Sequence, residues 1–465
     1  MHYAGFPSFF SAAACYDTSV TTCRSAERTM AMAADTDPRL QNAVLYSVFV
    51  RNHTPEGTFR SVIPDLPRIR SLGTDIIWLM PIHPIGHIRR KGTMGSPYAI
   101  SDYRAVNPEY GSLDDLKALI DAVHENGMRC IIDVVYNHTS PDSILFREHP
   151  EYFYRRPDGM PGNRIADWSD IIDLDYAHEG LRDYQIETLL YWADLVDGFR
   201  CDVASLVPAS FWERARTKIA AKKPDFIWLA ESSHLSFSIA VRRRGLYTAL
   251  DAELFRIFDM EYEYDIREVL ERYLSGRTTL SNWLDMLNFQ EFAYPGGYNK
   301  MRFLENHDLP RIASLVPDET SLRNFTAMLY FLKGAVLLYA GQEKAVRRRP
   351  DLFDKDPVSW STGSDLSSLL TVLGGIRKDH LHPDDLFFAE GADECDIAVC
   401  QRDNKKTRKI GVFSLRGRRG DVPVNAPDGM YLNLIDQSEL SVRGGYLHSD
   451  GMPVILDLPQ PQDPA

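Results

Sequence analysis

Asp197-Gly198-Phe199-Arg200-Cys201-Asp202 is the stretch whose reading decides this fold. Phe199 and Cys201 alternate with Gly198, Arg200 and Asp202, so in a β-strand the arginine and the final carboxylate share a face. A guanidinium beside a carboxylate holds it ionised and oriented, which a carboxylate nucleophile requires. Taken alone, such a pair is usually a structural salt bridge. Its company decides the matter: DVVYNH at 133–138, Glu231 closing FIWLAE at 226–231, and ENHD at 305–308.

Outward from that stretch, short apolar runs alternate with longer amphipathic ones, the rhythm of βα units around a parallel sheet. The runs are LYSVFV (45–50), IIWLM (76–80), CIIDVVY (130–136), VDGFRCD (196–202), FIWLAE (226–231), TALDAELF (248–255), MRFLENHD (301–308) and AVLLYAG (335–341). They are almost continuously hydrophobic, as strands covered on both faces must be. Between them, LDDLKALIDAVHENG (113–127) and EGLRDYQIETLLYWADL (179–195) carry helical spacing, the former closing on a glycine. The pattern predicts an α/β fold, a (β/α)8 TIM barrel over residues 41–138 and 173–380. The aperiodic stretch 139–172, rich in Pro, Asp, Arg and aromatics, predicts a small insertion after the third strand. Beyond the last helix, near 365–379, short segments bounded by turn residues predict a C-terminal β-sandwich over 381–465.

Composition bounds the partners. A formal net charge of −13 offers no basic surface for nucleic acid or an anionic membrane. No stretch reaches the ~20 apolar residues of a membrane span. The six cysteines, at 15, 23, 130, 201, 395 and 400, form no regular framework, and Cys130 and Cys201 sit inside apolar runs. That usage points to a reducing compartment, the cytoplasm, without closing off secretion. Residues 1–40 lack the basic and continuously apolar regions of a signal peptide and are expected to be disordered or a mis-assigned start. Nothing in the sequence sets an oligomeric state.

Active sites of such barrels form at the C-terminal ends of the strands, and there the polar residues interrupt the runs. Asp133, Asn137 and His138 close the third run, Arg200 and Asp202 the fourth, Glu231 the fifth, His307 and Asp308 the seventh. Retaining glycoside cleavage needs a carboxylate nucleophile and a protonated carboxylic acid about 5–5.5 Å apart. Neighbouring strands lie about 4.8 Å apart, so Asp202 and Glu231 can meet that spacing. Arg200 is expected to keep Asp202 anionic, and the apolar run before Glu231 to raise its pKa.

DVVYNH, DGFRCD, WLAE and FLENHD resemble, in order and spacing, the four signature regions of the alpha-amylase family of retaining glycoside hydrolases. SPYAISDY at 96–103 resembles the family's segment after the second strand. The resemblance implies that Asp202 is the nucleophile, Glu231 the acid/base and Asp308 the transition-state stabiliser. It implies that Arg200, His138, His307 and Tyr98 bind the sugar at the cleavage point, and that Asp133 orients its neighbours. The implied substrate is an α-glucosidic oligosaccharide of maltodextrin or starch, cleaved by double displacement with no required cofactor. Two departures stand out. Many family members carry a Lys-His pair three and four positions after the nucleophile, where this chain has Ser205 and Leu206. Asn137 matches the family's calcium-ligand asparagine, and Asp167, Asp170, Asp173 and Asp175 supply oxygen donors without the spacing of a dedicated loop. A structural calcium is an expectation resting on Asn137.

Other readings stay open on sequence grounds. The same machinery serves transfer, in a glucanotransferase, a trehalose- or sucrose-active isomerising enzyme, or a phosphorylase. The barrel could also be a catalytically silent scaffold, which the intact Asp202, Glu231 and Asp308 set opposes. A metal-dependent hydrolase lacks paired ligand spacing. His53, His83 and His87 read as loop residues, and the arginine runs at 242–244 and 347–349 as solvated faces.

Overall fold

The computed structural model describes residues 31–459 apart from 166, 167 and 362. The strands in chain order are β1 (Val44–Val48), β2 (Ile76–Leu79), β3 (Arg129–Val134), β4 (His138–Thr139), β5 (Ile172–Asp173) and β6 (Gly198–Cys201). β7 (Ile227–Ala230), β8 (Met260–Tyr262), β9 (Lys300–Met301) and β10 (Val336–Tyr339) follow. Eight of them form one parallel sheet in the order β10-β1-β2-β3-β6-β7-β8-β9. A parallel bridge between Arg302 and Val336 joins its two ends, completing the (β/α)8 barrel that the runs predict. Every residue of β2, β6, β7 and β10 is buried, because helices cover the face that does not line the barrel.

Gly198 has a specific reason. A Cβ there would lie 2.5 Å from the backbone oxygen of Ile227, so only glycine lets β6 and β7 approach at this point. Those two strands deliver Arg200, Asp202 and Glu231 to one rim.

The sixth barrel strand is not where the apolar pattern puts it. Asp251–Leu254 is a helical turn, and the strand is the three-residue β8. Glu261 breaks its hydrophobic run, and that carboxylate is placed by an ion pair with Lys300 of the next strand, 3.4 Å away. A tertiary partner 39 residues on is invisible to a local pattern.

After β3 the chain leaves the barrel. The short helix Ile144–Glu148 lies in this excursion, and β4 pairs antiparallel with β5 so that His138 stands opposite Asp173. Residues 1–30, including Cys15 and Cys23, lie outside the described residues. Immediately after them the chain is already packed: the Ala33 amide donates to Phe255 (2.9 Å) and Asp35 pairs with Arg216 (2.7 Å). Cys130, Cys201, Cys395 and Cys400 are free and buried. No helix among the described residues is long and apolar enough to cross a membrane.

The C-terminal strands are β11 (Leu386–Ala392), β12 (Ile397–Asp403), β13 (Thr407–Ser414), β14 (Gly420–Pro423), β15 (Gly429–Leu432), β16 (Glu439–Arg443), β17 (Tyr446–Ser449) and β18 (Val454–Pro459). They form two antiparallel four-stranded sheets, β11-β12-β13-β18 and β14-β17-β16-β15. Ile397, Ile410 and Leu456 from the first sheet share one core with Val422, Val442 and Leu447 from the second, which makes the unit a sandwich.

Candidate active site

Arg200 is the centre of the rim. Its side chain is fully buried, and its Nη1 donates to Asp133 (2.8 and 2.9 Å) and to Asp202 (2.9 Å). The Nη2 atom lies 2.8 Å from Glu231 Oε2, and Nε donates to the Tyr262 hydroxyl (3.2 Å). Asp202 and Glu231 therefore face each other across the two prongs of one guanidinium. The rings of Trp78, Tyr98 and Tyr262 surround the charge at 5.1, 5.6 and 5.3 Å. Cation–π contact of this kind is strongest in a dry interior, so the box helps keep a buried cation in place.

One cation among three carboxylates leaves an excess of negative charge. Burial raises Asp133 to about 6 and both Asp202 and Glu231 to about 7, although Arg200 pulls each of them down. Arg200 favours the Asp202 anion, as expected, but it shares its charge with Asp133 and Glu231, and burial acts against it. The rim retains a proton among its carboxyl groups near neutral pH. Glu231 has one further contact, the Val203 amide donating to Oε2 at 2.7 Å. Val203 adopts a left-handed conformation, φ +35°, which is a real strain for a β-branched residue.

Asp308 comes from the loop after β9. Asn306 Oδ1 accepts from the amides of Asp308 and Leu309, a turn that projects the carboxylate into the mouth with about half its side chain exposed (48%). Burial opposes its ionisation, but the adjacent His307, together with Arg200 and Arg349, outweighs burial and holds Asp308 at about 2. The His307 ring stacks on Tyr98 (centroids 5.4 Å apart, 17° between planes). Tyr98 donates to Asp133 (3.2 Å) and meets His307 Nε2 at 2.8 Å, so one relay ties the second, third and seventh strand ends together.

His138 is buried, and burial lowers it to about 4 against the pull of Asp173 and Asp170. It is therefore a neutral imidazole. Asn137 Nδ2 donates to its Nδ1 (3.1 Å), which leaves the ring proton on Nε2. Trp168 leans against its face at 5.6 Å. Asp202, Glu231, His307, Asp308, Tyr98 and His138 all line one cavity of about 340 Å³. Of the residues expected to act on the sugar, all but Arg200 are thus at the mouth; Arg200 and Asp133 lie beneath the carboxylates, and Asn137 stands behind His138.

Asn137 and the insertion's aspartates do not fit a bound calcium. Asp167 lies outside the described residues, and Asp170 pairs with Lys91 at 2.9 Å. Asp173 and Asp175 each face the guanidinium of Arg164 at 3.7 Å. A cation already stands among these oxygens, and no group of three His, Cys, Asp or Glu among the described residues could hold a metal ion.

Sequence reasoning missed Trp78, Tyr262, Trp168, Lys91, Phe353 and Arg349. Lys91, Trp168 and Phe353 line the cavity, and Arg349, expected on a solvated face, donates to the backbone oxygen of Asp308. None carries a local signal beyond being aromatic or basic in a loop. His53, His83 and His87 are not at the mouth: His53 pairs with Asp65 (2.8 Å) and His83 Nδ1 meets the Ala105 carbonyl (3.0 Å).

Comparison with known proteins shows the family of the fold. The family model described as the alpha amylase catalytic domain matches residues 31–169 and 165–382. The bacterial alpha amylase C-terminal domain matches residues 389–456. An alpha-amylase from Lactobacillus plantarum of known crystal structure is 44% identical, with TM-score 0.88 over 90% of this chain and 100% of that one. The noncanonic maltogenic alpha-amylase AmyB from Thermotoga neapolitana is 30% identical, with TM-score 0.81 over 90% and 99%. Among curated relatives, alpha-amylase MalA of Haloarcula japonica is 28% identical over 73% of this chain and 49% of its own length. An alpha-1,4-glucan:maltose-1-phosphate maltosyltransferase of Rhodospirillum rubrum is 36% identical over 42% of this chain and 32% of its own length. The chain spans about half or less of the length of these curated relatives.

Proposed function

The chain belongs to the alpha-amylase catalytic-domain family, and from that premise we propose that it is a retaining hydrolase of α-glucosidic bonds in maltodextrins and starch oligosaccharides. The observation that carries the reading is the shared guanidinium. Arg200 holds Asp202 at 2.9 Å and Glu231 at 2.8 Å on one cavity wall, with Asp308 projecting into the same mouth.

Glu231, held in the proton-bearing range by burial, gives its proton to the glycosidic oxygen as that bond breaks. The Asp202 carboxylate attacks the anomeric carbon, forming a glycosyl-Asp202 ester and releasing the shortened sugar. The Glu231 carboxylate then takes a proton from water, whose oxygen displaces Asp202 and restores both groups. Asp308, ionised at any working pH, stabilises the positive charge that develops on the sugar ring. His138 donates from Nε2, and Tyr98 with His307 forms the platform that fixes the ring. The buried free cysteines support a cytoplasmic setting.

Transfer is the second reading, supported by the likeness to maltosyltransferases. Both readings share the glycosyl-Asp202 ester and differ in the acceptor. Digestion of maltoheptaose with and without added glucose separates them: short products only support hydrolysis, and longer or rearranged sugars overturn it. Mass spectrometry after trapping with a fluorinated glycosyl fluoride should find the label on the Asp202 peptide. A label elsewhere overturns the site.

A further inference from the structure

The excursion between β3 and β6 must be held in a fixed shape, since His138, one of the residues lining the catalytic cavity, sits in its first strand pair. The fastening converges on one side chain. Arg164 donates from Nη1 to the Leu174 carbonyl (2.9 Å), lies 3.7 Å from both Asp173 and Asp175, and rests over the Tyr154 ring at 4.4 Å. Its own amide donates to Asp173 Oδ2 (2.7 Å). Asp173 is almost fully buried (4% side-chain exposure), and its other oxygen, Oδ1, has no hydrogen-bond partner. A buried carboxylate left this way needs a nearby positive charge. Asp173 is the ladder partner of His138, and Asn137, which orients the His138 ring, lines the same cavity of about 360 Å³ as Arg164.

We propose that Arg164 is a built-in cation that ties the insertion to its return strand at Asp173–Asp175 and so positions His138, doing in this chain the structural work of a bound metal ion. The clamp stands apart from the reaction proposed above, because its primary readout is thermal stability and not turnover. Arg164 is a positioning residue: it acts on the sugar only through Asp173 and His138.

The experiment uses the full chain, with unfolding followed by circular dichroism. The wild-type Tm should be unchanged by excess EDTA and by millimolar calcium chloride. Arg164→Gln should lower Tm by roughly 3–8 °C and raise KM several-fold with a smaller effect on kcat. Arg164→Lys should recover part of both losses, because it restores the charge without the fork. Calcium chloride should raise the Tm of Arg164→Gln, since the Asn137, Asp173 and Asp175 oxygens are then uncompensated and the cavity admits an ion. A wild-type Tm that falls with EDTA or rises with calcium overturns the proposal. So does an Arg164→Gln protein with wild-type Tm, or one that calcium does not stabilise. Should that variant fail to fold, the wild-type measurements still decide, together with Asp175→Asn, whose expected loss is a few degrees and whose wild-type Tm would count against the clamp.

Discussion

Two places in this barrel gather three carboxylates around one buried cation, and one of them lies on the wall of the cavity described above. At the mouth, Arg200 meets Asp133, Asp202 and Glu231. Between β8 and β9, Lys300 meets Asp251 (2.5 Å), Glu261 (3.4 Å) and Asp265 (3.5 Å). Burial raises Asp251 and Glu261 there just as it raises Asp202 and Glu231 at the mouth. Perturbed carboxyl groups alone would nominate both sites. The surroundings make the difference: Tyr294 donates to Asp251 and Asp265 and Gln290 to Asp265, while Glu261 Oε1 and Asp265 Oδ1 are buried without a hydrogen-bond partner, so this cluster is held by protein atoms and the lysine charge. At the mouth, Asp202 and Glu231 face about 340 Å³ of open space, where a substrate can take that place. Lysine suits the closed cluster as a compact point charge, whereas arginine's fork holds two carboxyls in a fixed mutual orientation.

The comparison breaks first under substitution. Asp202→Asn should lower kcat on maltoheptaose by about 10⁴-fold or more while leaving Tm near wild type. Lys300→Met should do the reverse, lowering stability by about 3–5 kcal/mol with kcat per folded molecule retained. A Lys300→Met protein of normal Tm but no activity would erase the distinction.

Acidity sharpens it next. Burial raises Glu231 to about 7 in the folded chain, so the folded state binds the extra proton and stability falls as pH climbs from about 4 to about 7. Glu231→Gln removes that titration. Its Tm should exceed wild type at pH 8 and match it near pH 4, measured by calorimetry across the range. Wild-type kcat/KM should fall above about pH 7 as the Asp202 and Glu231 pair loses its remaining proton. A flat profile to pH 9 would mean that the pair is not the acid of the reaction.

The smallest effect concerns backbone strain. Val203→Gly relieves a left-handed β-branched residue, about 1–3 kcal/mol, against an entropic cost of about 0.5–1 kcal/mol for glycine. Tm should stay level or rise slightly. The amide aimed at Glu231 Oε2 should become less well fixed, with kcat down a few-fold. Lost stability without any change in rate would show that the φ of Val203 serves packing instead.

Much of this was legible in advance because barrel strands repeat one local rule. Seven of the eight apolar runs overlap observed barrel strands, since a strand buried on both faces needs hydrophobic residues at every position. The eighth run failed at β8, where Glu261 interrupts the pattern and Lys300 compensates from the next strand. The aromatic box was hidden for a related reason. Trp78 and Tyr262 read as ordinary core residues, and only the barrel's closure brings them around Arg200.

By itself the sequence determined which chemistry-bearing residues end which strands, because strand order follows chain order and side-chain direction follows a period of two. Tertiary structure alone decided how the charge of Arg200 is shared, which of two similar carboxylate clusters faces open space, and that Arg164 stands among the insertion's aspartates. The physical reason is range: propensity and periodicity act over a few neighbours, whereas burial, ion pairing and cavity shape depend on groups that only folding brings together.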